Sequence, residues 1–222
     1  MLRHESMIPP LADAIARPIA ESTPALIYRP DSYFERLDLS RLFASNRPLV
    51  IELGSGDGSF LVEYARLNPE KNFLGVERLL GRLRKIERKG LRAGLTNLRL
   101  IRIEASYLIQ YLIPAESVIA LHVYFPDPWP KRKHRKHRLV NSSFAQLVGN
   151  VLLPGGDIYL RTDDADYFAQ VQQVFSSNEI FRPVPTPEPL AMLTTDFERD
   201  FQARGIPTLR AAYQRKHRPT HQ

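Results

Sequence analysis

The chain has 222 residues and a formal net charge of +7 at pH 7, and it contains no cysteine. This length suits one large α/β domain with a single core, and the missing cysteines exclude disulfides, thiol nucleophiles and cysteine metal sites. No run approaches the roughly 18 apolar residues of a membrane span, so we expect a cytoplasmic protein whose positive charge suits a polyanionic partner.

The N-terminal residues 1–45 carry five prolines among scattered small residues. This composition predicts an arm with short helical pieces and no independent domain. From Pro48 onward strands and helices alternate, which predicts one domain over residues 46–222. In chain order the predicted elements are strand 49–53, helix 57–67, strand 72–77, helix 79–93, strand 98–103, a helical turn near 106–112, strand 117–125, a helix over 144–152, strand 158–161 and helix 164–176.

The order of these elements also predicts the fold class. Pro154-Gly155-Gly156 is interpreted as the stop of the helix before it, and Asp163 or Asp164 as the cap of the last helix. The proline-spaced stretches 182–185 and 209–213 are expected to add antiparallel edge strands. Alternating strands and helices therefore predict an α/β fold with a doubly wound, mostly parallel, seven-stranded sheet and an antiparallel edge.

A glycine-rich turn, Glu52-Leu53-Gly54-Ser55-Gly56-Asp57-Gly58, closes the first of these strands. A dinucleotide fingerprint would read G-x-G-x-x-G, whereas here the glycines fall at every second position and an acid lies two residues before the first. That acid disfavours a pyrophosphate and suits a cationic, amino-bearing ligand. The pattern E-x-G-x-G-x-G resembles the cofactor loop of class I methyltransferases that use S-adenosylmethionine.

Two further acids follow the next two strands. Glu77 comes at the end of the second strand, where an acid can accept hydrogen bonds from both hydroxyls of a ribose. Glu104 comes at the end of the third strand and could accept from an adenine amino group. Glycine-rich turns and strand-end acids are each common, but three acids on three successive strand ends favour a binding site.

The fourth strand runs into Phe125-Pro126-Asp127-Pro128-Trp129-Pro130-Lys131. The two prolines restrict the backbone on both sides of Asp127, and the end of a parallel strand is where ligands bind in such sheets. Trp129 is a candidate for stacking on a base, or an aromatic residue that holds the loop in place.

A basic segment follows directly, and residues 131–138 carry six fixed positive charges with almost no acid nearby in sequence. A cluster of like charges is unfavourable unless a polyanion relieves it, although it could also be a solvated loop without a specific role. Because helix 79–93 adds a second basic surface, we favour a nucleic-acid interface.

The chain from about Pro48 to Arg215 resembles the bacterial tRNA (guanine-N7)-methyltransferases, the TrmB family. The resemblance depends on four motifs: residues 52–58, residues 125–131, Arg161-Thr162-Asp163, and Thr195-Asp196-Phe197-Glu198 with Gly205 following. It implies a Rossmann-like S-adenosylmethionine-dependent transferase that methylates N7 of a guanine in the tRNA variable loop. Glu104 departs from the family, which often has aspartate there, and residues 1–45 match no motif.

The resemblance also implies the roles of individual residues. The cofactor site would be lined by Glu52, Gly54, Gly56, Glu77, Glu104 and Asp127, with Asp127 also the catalytic residue. The target nucleoside would be held by Lys131, Asp163, Thr195, Asp196, Phe197 and Glu198. Guanine N7 already has an in-plane lone pair, so the reaction needs alignment rather than a base, and Asp127, Asp163 and Glu198 could stabilise the cationic product.

Several alternatives remain. The enzyme could methylate an exocyclic amino group of RNA, or the chain could be a non-catalytic RNA-binding protein on the same scaffold; a nicotinamide oxidoreductase is disfavoured by the glycine spacing. No metal is expected, because His134 and His137 lie in a strongly cationic segment and the acids at 163–166 lack an EF-hand pattern. Monomer and homodimer both stay open.

Overall fold

The computed structural model describes residues 25–217. Residues 1–24 of the predicted N-terminal arm lie outside the described residues, and its remaining part contains one short helical piece, Leu39–Leu42. In chain order the elements are β1 (Ile27–Tyr28), α1 (Leu39–Leu42), β2 (Leu49–Leu53), α2 (Ser59–Leu67), β3 (Asn72–Val76), α3 (Leu80–Arg92), β4 (Leu98–Ile101), α4 (Ala105–Tyr107), a π-helical turn (Leu108–Leu112), β5 (Val118–Tyr124), a 3₁₀ helix (Arg132–His137), α5 (Ser142–Val151), β6 (Leu152–Thr162), α6 (Ala165–Ser176), β7 (Phe181–Pro183), α7 (Glu188–Met192), α8 (Asp196–Ala203) and β8 (Leu209–Arg215).

The strands form one sheet in the order β1-β4-β3-β2-β5-β6-β8-β7. The pairs from β1 to β6 are parallel, whereas β8 is antiparallel to both β6 and β7. The predicted α/β class with an antiparallel edge is therefore confirmed. The predicted count of seven strands is wrong, because β1 adds an eighth strand of two residues, too short to show any alternation in the sequence.

Helices cover both faces of the sheet, and this explains why its central strands lack an alternating pattern. Every residue of β2 and β3 is buried. One face packs on residues of α5 and the π-helical turn, and the other packs on α2 and α3. Strands buried on both sides appear in sequence as continuous apolar runs, as predicted for 49–53 and 72–77.

The predicted helix stop at Pro154-Gly155-Gly156 is wrong. Helix α5 ends at Val151 and β6 begins at Leu152, so the three residues lie inside a strand. The pairing of β6 with β5 is interrupted there, since Leu152 pairs with Val118 but Asp157 pairs with Ala120. Such an irregularity accommodates proline and glycine in a strand, so the tripeptide marks a bulge.

The stretch before β2 packs against the same core. Leu37, Leu42 and Phe43 are buried within it, and the Leu37 amide donates to the Leu112 carbonyl oxygen at 2.8 Å. Residues 25–43 are thus part of the folded unit, and their strand β1 forms the edge of the sheet next to β4. Among residues 25–217, no helix has the length and apolarity that a bilayer crossing requires.

Candidate functional site

The predicted acids lie along one edge of the sheet, where four adjacent parallel strands end. Val76 pairs with both Leu53 and Ile101, and Leu53 pairs with Val123, so these strands end at the same level. Adjacent strands are about 4.8 Å apart, so the four strand ends span about 14 Å. The acids at or just beyond those ends are Glu104 after β4, Glu77 after β3, Glu52 in β2 and Asp127 after β5.

The glycine-rich turn after β2 is bonded to Glu77. Gly54, Gly56 and Gly58 have φ values of 76°, 56° and 78°, a region that favours glycine. The Gly56 amide donates to Glu77 Oε2 at 3.1 Å, and the Leu79 amide donates to Glu77 Oε1 at 2.8 Å. The two motifs, 21 residues apart in the chain, therefore form one structure at the edge of the sheet.

Glu52 is a buried carboxyl group with an unused oxygen. The residue is only 3% exposed, and its Oε2 has no hydrogen-bond partner among residues 25–217. Burial raises the pKa of Glu52 to about 8, against the opposing effects of the Ser55 hydroxyl and the Arg161 charge. A buried carboxyl oxygen without a partner is costly, and a positively charged or amino ligand would relieve that cost.

Glu104 has a structural role at the start of α4. Its Oε1 accepts from the Ser106 amide at 3.0 Å and its Oε2 accepts from the Tyr107 amide at 2.8 Å. The side chain therefore caps the helix. Because the residue is exposed, the remaining lone pairs can still accept another donor, and its contact with adenine stays a prediction.

Asp127 is exposed, and its carboxylate makes no hydrogen bond or ion pair with any of residues 25–217. The backbone around it is strained, since Phe125 and Trp129 have φ values of 49° and 43°. Such conformations cost on the order of 1–3 kcal/mol each and persist only where the surroundings impose them. The Phe125 amide donates to the Arg161 carbonyl oxygen at 2.8 Å, and Arg138 Nε donates to the Pro128 carbonyl oxygen at 2.7 Å.

Arg138 differs from the rest of the basic segment. Its side chain is 1% exposed and donates to Asp166 at 2.7 Å and to Gln170 at 2.9 Å. Arg135 also pairs with Asp166, at 3.0 Å. The interpretation that almost no acid lies near enough to neutralise this segment is therefore wrong for Arg135 and Arg138, because α6 supplies Asp166 from outside the local sequence. The cations of this segment that have no such partner within residues 25–217 are Lys131, Arg132, Lys133 and Lys136.

Trp129 has features of both roles considered for it, stacking on a base and holding the loop in place. The residue is 37% exposed, and its ring packs against His134 at 5.9 Å and His137 at 5.2 Å between centroids. The indole thus joins the Asp127 loop to the 3₁₀ helix while keeping part of its surface accessible.

The stretch from Thr195 to Phe197 begins α8 above the glycine-rich turn. Thr195 Oγ1 accepts from the Glu198 amide at 3.0 Å and caps the helix. The Ser59 hydroxyl donates to Asp196 Oδ2 at 2.8 Å. Phe197 is 47% exposed, and a Cβ placed on Gly56 would lie 3.8 Å from its ring. The structure therefore brings these predicted substrate residues to the predicted cofactor loop.

Glu198, in the first turn of α8, is buried beneath these residues. It is completely buried, and its Oε2 accepts from Arg161 at 2.8 Å while its Oε1 pairs with Arg210. Arg161 also donates to the Leu190 and Leu193 carbonyl oxygens at 2.7 and 2.6 Å. This ion pair fixes α7 and α8 to the sheet, a role that sequence reasoning missed because the partners are far apart in the chain.

The remaining predicted residues, Asp163 and Lys131, are accessible. Asp164 rather than Asp163 caps α6, since Asp164 Oδ1 accepts from the Tyr167 amide at 2.7 Å. Asp163 is half-buried and Lys131 is exposed. Neither side chain forms a hydrogen bond or an ion pair within residues 25–217, so both can contact a ligand.

Comparison with known proteins finds similarity to methyltransferases. Residues 46–211 match the family described as "Putative methyltransferase". A protein of Nitrosomonas eutropha named tRNA (guanine-N(7)-)-methyltransferase is 39% identical over 150 residues, which span 64% of this chain and 64% of its own length. One of the same name from Halorhodospira halophila is 35% identical over 180 residues, which span 73% of each chain. The solved structure of the 16S rRNA methyltransferase KamB has a TM-score of 0.58 and 19% identity over 82% of this chain and 95% of its own, which shows a shared fold.

Proposed function

We propose that this chain, which belongs to the tRNA (guanine-N7)-methyltransferase family, transfers a methyl group from S-adenosylmethionine to N7 of a guanine in the tRNA variable loop. One observation carries the proposal. A single sheet edge combines a buried carboxyl oxygen of Glu52, an exposed Asp127, and the exposed cations that follow Asp127 in the chain; neither acid oxygen has a partner among residues 25–217.

The donor would be bound at the glycine-rich end of this edge. S-adenosylmethionine supplies an electrophilic methyl group carried on a positively charged sulfur. Gly54 and Gly56 permit close approach of the backbone, and Glu77, already fixed by two amides, can accept from ribose hydroxyls. Glu52 would face the cationic part of the donor, and Glu104 would lie toward its adenine.

The acceptor guanine needs position more than activation. Its N7 lone pair lies in the ring plane, so the protein must align the base rather than remove a proton. Asp127 and Asp163 have no hydrogen-bond or ion-pair partner among residues 25–217, so they can accept from guanine N–H groups and stabilise the positive charge that develops on the ring. Lys131 and the stretch Thr195–Phe197 complete the proposed nucleoside site, while Glu198 acts by holding α8 in place.

The direct test is to incubate the purified protein with labelled S-adenosylmethionine and unmodified tRNA, and then digest the tRNA and analyse its nucleosides by mass spectrometry. We expect 7-methylguanosine at one variable-loop position. A label on an exocyclic amino group would contradict the proposal, and RNA binding without any uptake of label would indicate a non-catalytic protein. Binding of NADH in place of S-adenosylmethionine would indicate an oxidoreductase.

The raised pKa of Glu52 predicts how stability depends on pH. In the folded protein this pKa is about 8, above the ordinary value of 4.5. Between these values the folded state keeps a proton that the unfolded state releases, so the free energy of unfolding decreases as the pH rises from about 5 to about 8. We expect a decrease on the order of 3 kcal/mol, measured by urea denaturation of the ligand-free protein.

The matched variant is Glu52→Gln, whose amide is neutral at every pH. It should be free of this slope, and at pH 8 it should be at least as stable as the natural protein. Identical pH dependence of the two proteins would contradict the assignment of the raised pKa to Glu52.

The exposed cations after Asp127 predict a salt-dependent RNA contact. A triple variant with Arg132, Lys133 and Lys136 replaced by alanine should bind tRNA about 10- to 100-fold more weakly. The negative slope of log affinity against log salt should become shallower by about 2. The physical reason is that fewer counterions are released on binding. Fluorescence anisotropy with labelled tRNA at several salt concentrations measures both quantities.

Arg135 provides the internal control for this experiment, because it lies in the same segment but pairs with Asp166. Arg135→Ala should change the salt slope less than the single replacement of Arg132, Lys133 or Lys136 with alanine. A triple variant with an unchanged slope would show that RNA does not contact the segment.

A further inference from the structure

An aromatic surface lies near the end of β4, at the same edge of the sheet as the predicted acids. The proposed function does not use it. We define it as Tyr33, Phe34, Tyr107 and Tyr111. Phe34 is 90% exposed, and Tyr33 and Tyr111 are 44% and 46% exposed. Single exposed apolar residues are ordinary on protein surfaces, but grouped aromatic residues on a surface indicate an interaction site.

Tyr33, Tyr107 and Tyr111 are held together by specific contacts. The Tyr107 hydroxyl donates to the Tyr33 carbonyl oxygen at 2.8 Å, which joins the segment before α1 to α4. The rings of Tyr107 and Tyr111 lie 4.8 Å apart between centroids. The Phe34 amide donates to Ser32 Oγ at 3.1 Å, which fixes the local turn. The surface is thus built from two separate parts of the chain.

Its position relates it to the proposed reaction. Helix α4, which carries Tyr107, is capped by Glu104 at the end of β4. Because β3 and β2 separate β4 from β5, the two outer strands lie about 14 Å apart, and Asp127 follows β5. A tRNA bound at Asp127 is large enough to reach the aromatic surface along the same edge.

The charges beside the surface suit a polyanion. Arg78 and Arg102 are exposed, and Arg102 Nε donates to the Arg78 carbonyl oxygen at 3.1 Å. Neither arginine forms an ion pair within residues 25–217. The nearby carboxylates are exposed, but Asp31 pairs with Arg41 at 3.0 Å, and Asp38 and Glu104 cap helices. Glu35 is the nearby acid that forms no ion pair or hydrogen bond within residues 25–217.

We propose that the aromatic surface binds the RNA substrate by stacking on an unpaired base, while Arg78 and Arg102 contact the adjacent phosphates. This inference rests on the proposed function, because it assigns a second contact to the same tRNA. Exposed aromatic rings next to cations recognise single-stranded segments, since every base has a face on which a ring can stack.

The test compares Phe34→Ala, Tyr111→Ala and the double variant in anisotropy measurements with labelled, unmodified tRNA. We expect the double variant to bind about 10-fold more weakly, with an unchanged salt slope, because stacking releases no counterions. At saturating tRNA its kcat should match that of the natural protein, whereas its KM for tRNA should rise. The control is Leu67→Ala, which removes an apolar side chain 51% exposed at the far end of α2.

Two results would overturn this inference. The first is an unchanged tRNA affinity in the double variant. The second is self-association of the natural protein that depends on concentration, measured by sedimentation, and that is lost in the double variant. This second result would assign the surface to contact with a second copy of the chain. Failure of the proposed function is recognised separately, in the methylation assay of the natural protein.

Discussion

Replacing Asp127 with alanine is expected to reduce methyl transfer to tRNA by about 1,000-fold while leaving tRNA affinity within about twofold. The carboxylate is exposed and makes no hydrogen bond or ion pair within residues 25–217, so its removal breaks no such bond there. In the proposed function, its loss takes away a group that stabilises the positive charge developing on the guanine. Single-turnover rates at saturating tRNA and S-adenosylmethionine, together with tRNA anisotropy, measure the two quantities.

Two further variants sharpen this experiment. Asp127→Asn keeps the shape and removes the charge, so a large loss in that variant assigns the effect to charge. Glu179→Ala removes an exposed carboxylate on the loop after α6 and should leave both quantities unchanged. Parallel loss of tRNA affinity and rate in Asp127→Ala would contradict the assigned role, because it would show that Asp127 contributes to tRNA binding as much as to the methyl-transfer step.

The part of the site built on the central strands could be predicted from sequence. Parallel strands buried on both faces appear as apolar runs, and their ends identify Glu52 and Glu77 as neighbours. The glycine spacing marked the turn, and the structure shows Gly56 bonded to Glu77 at 3.1 Å. Local patterns sufficed here because each strand and its turn are contiguous in the chain.

Other features depend on partners distant in the chain and left no local signal. Arg138 reads as one more cation in a basic run, yet its partners on α6 lie 28 and 32 residues away. Likewise, the resemblance placed Glu198 among the residues that hold the nucleoside, although it is completely buried and accepts from Arg161, 37 residues before it. Strand β1 is two residues long, so only its pairing with β4 reveals it.

The buried ion pair of Glu198 leads to the second large effect. Glu198→Gln leaves Arg161, which is 1% exposed, and Arg210, which is 32% exposed, without their buried carboxylate. Removing one partner of a buried pair costs about 3–5 kcal/mol, which corresponds to a fall in Tm of about 10 °C for a chain of this size. Thermal unfolding followed by circular dichroism measures this fall.

The same variant decides between two roles for Glu198. If the carboxylate acts by holding α8, methylation should decline together with stability and recover in part at lower temperature, because Asp196 and Phe197 depend on α8 for their position over the glycine-rich turn. If it contacts the guanine directly, turnover should fall at every temperature while Tm stays within about 1 °C of the natural protein. Complete burial behind Arg161 favours the first result, and Glu179→Gln, at an exposed position, is the control for both measurements.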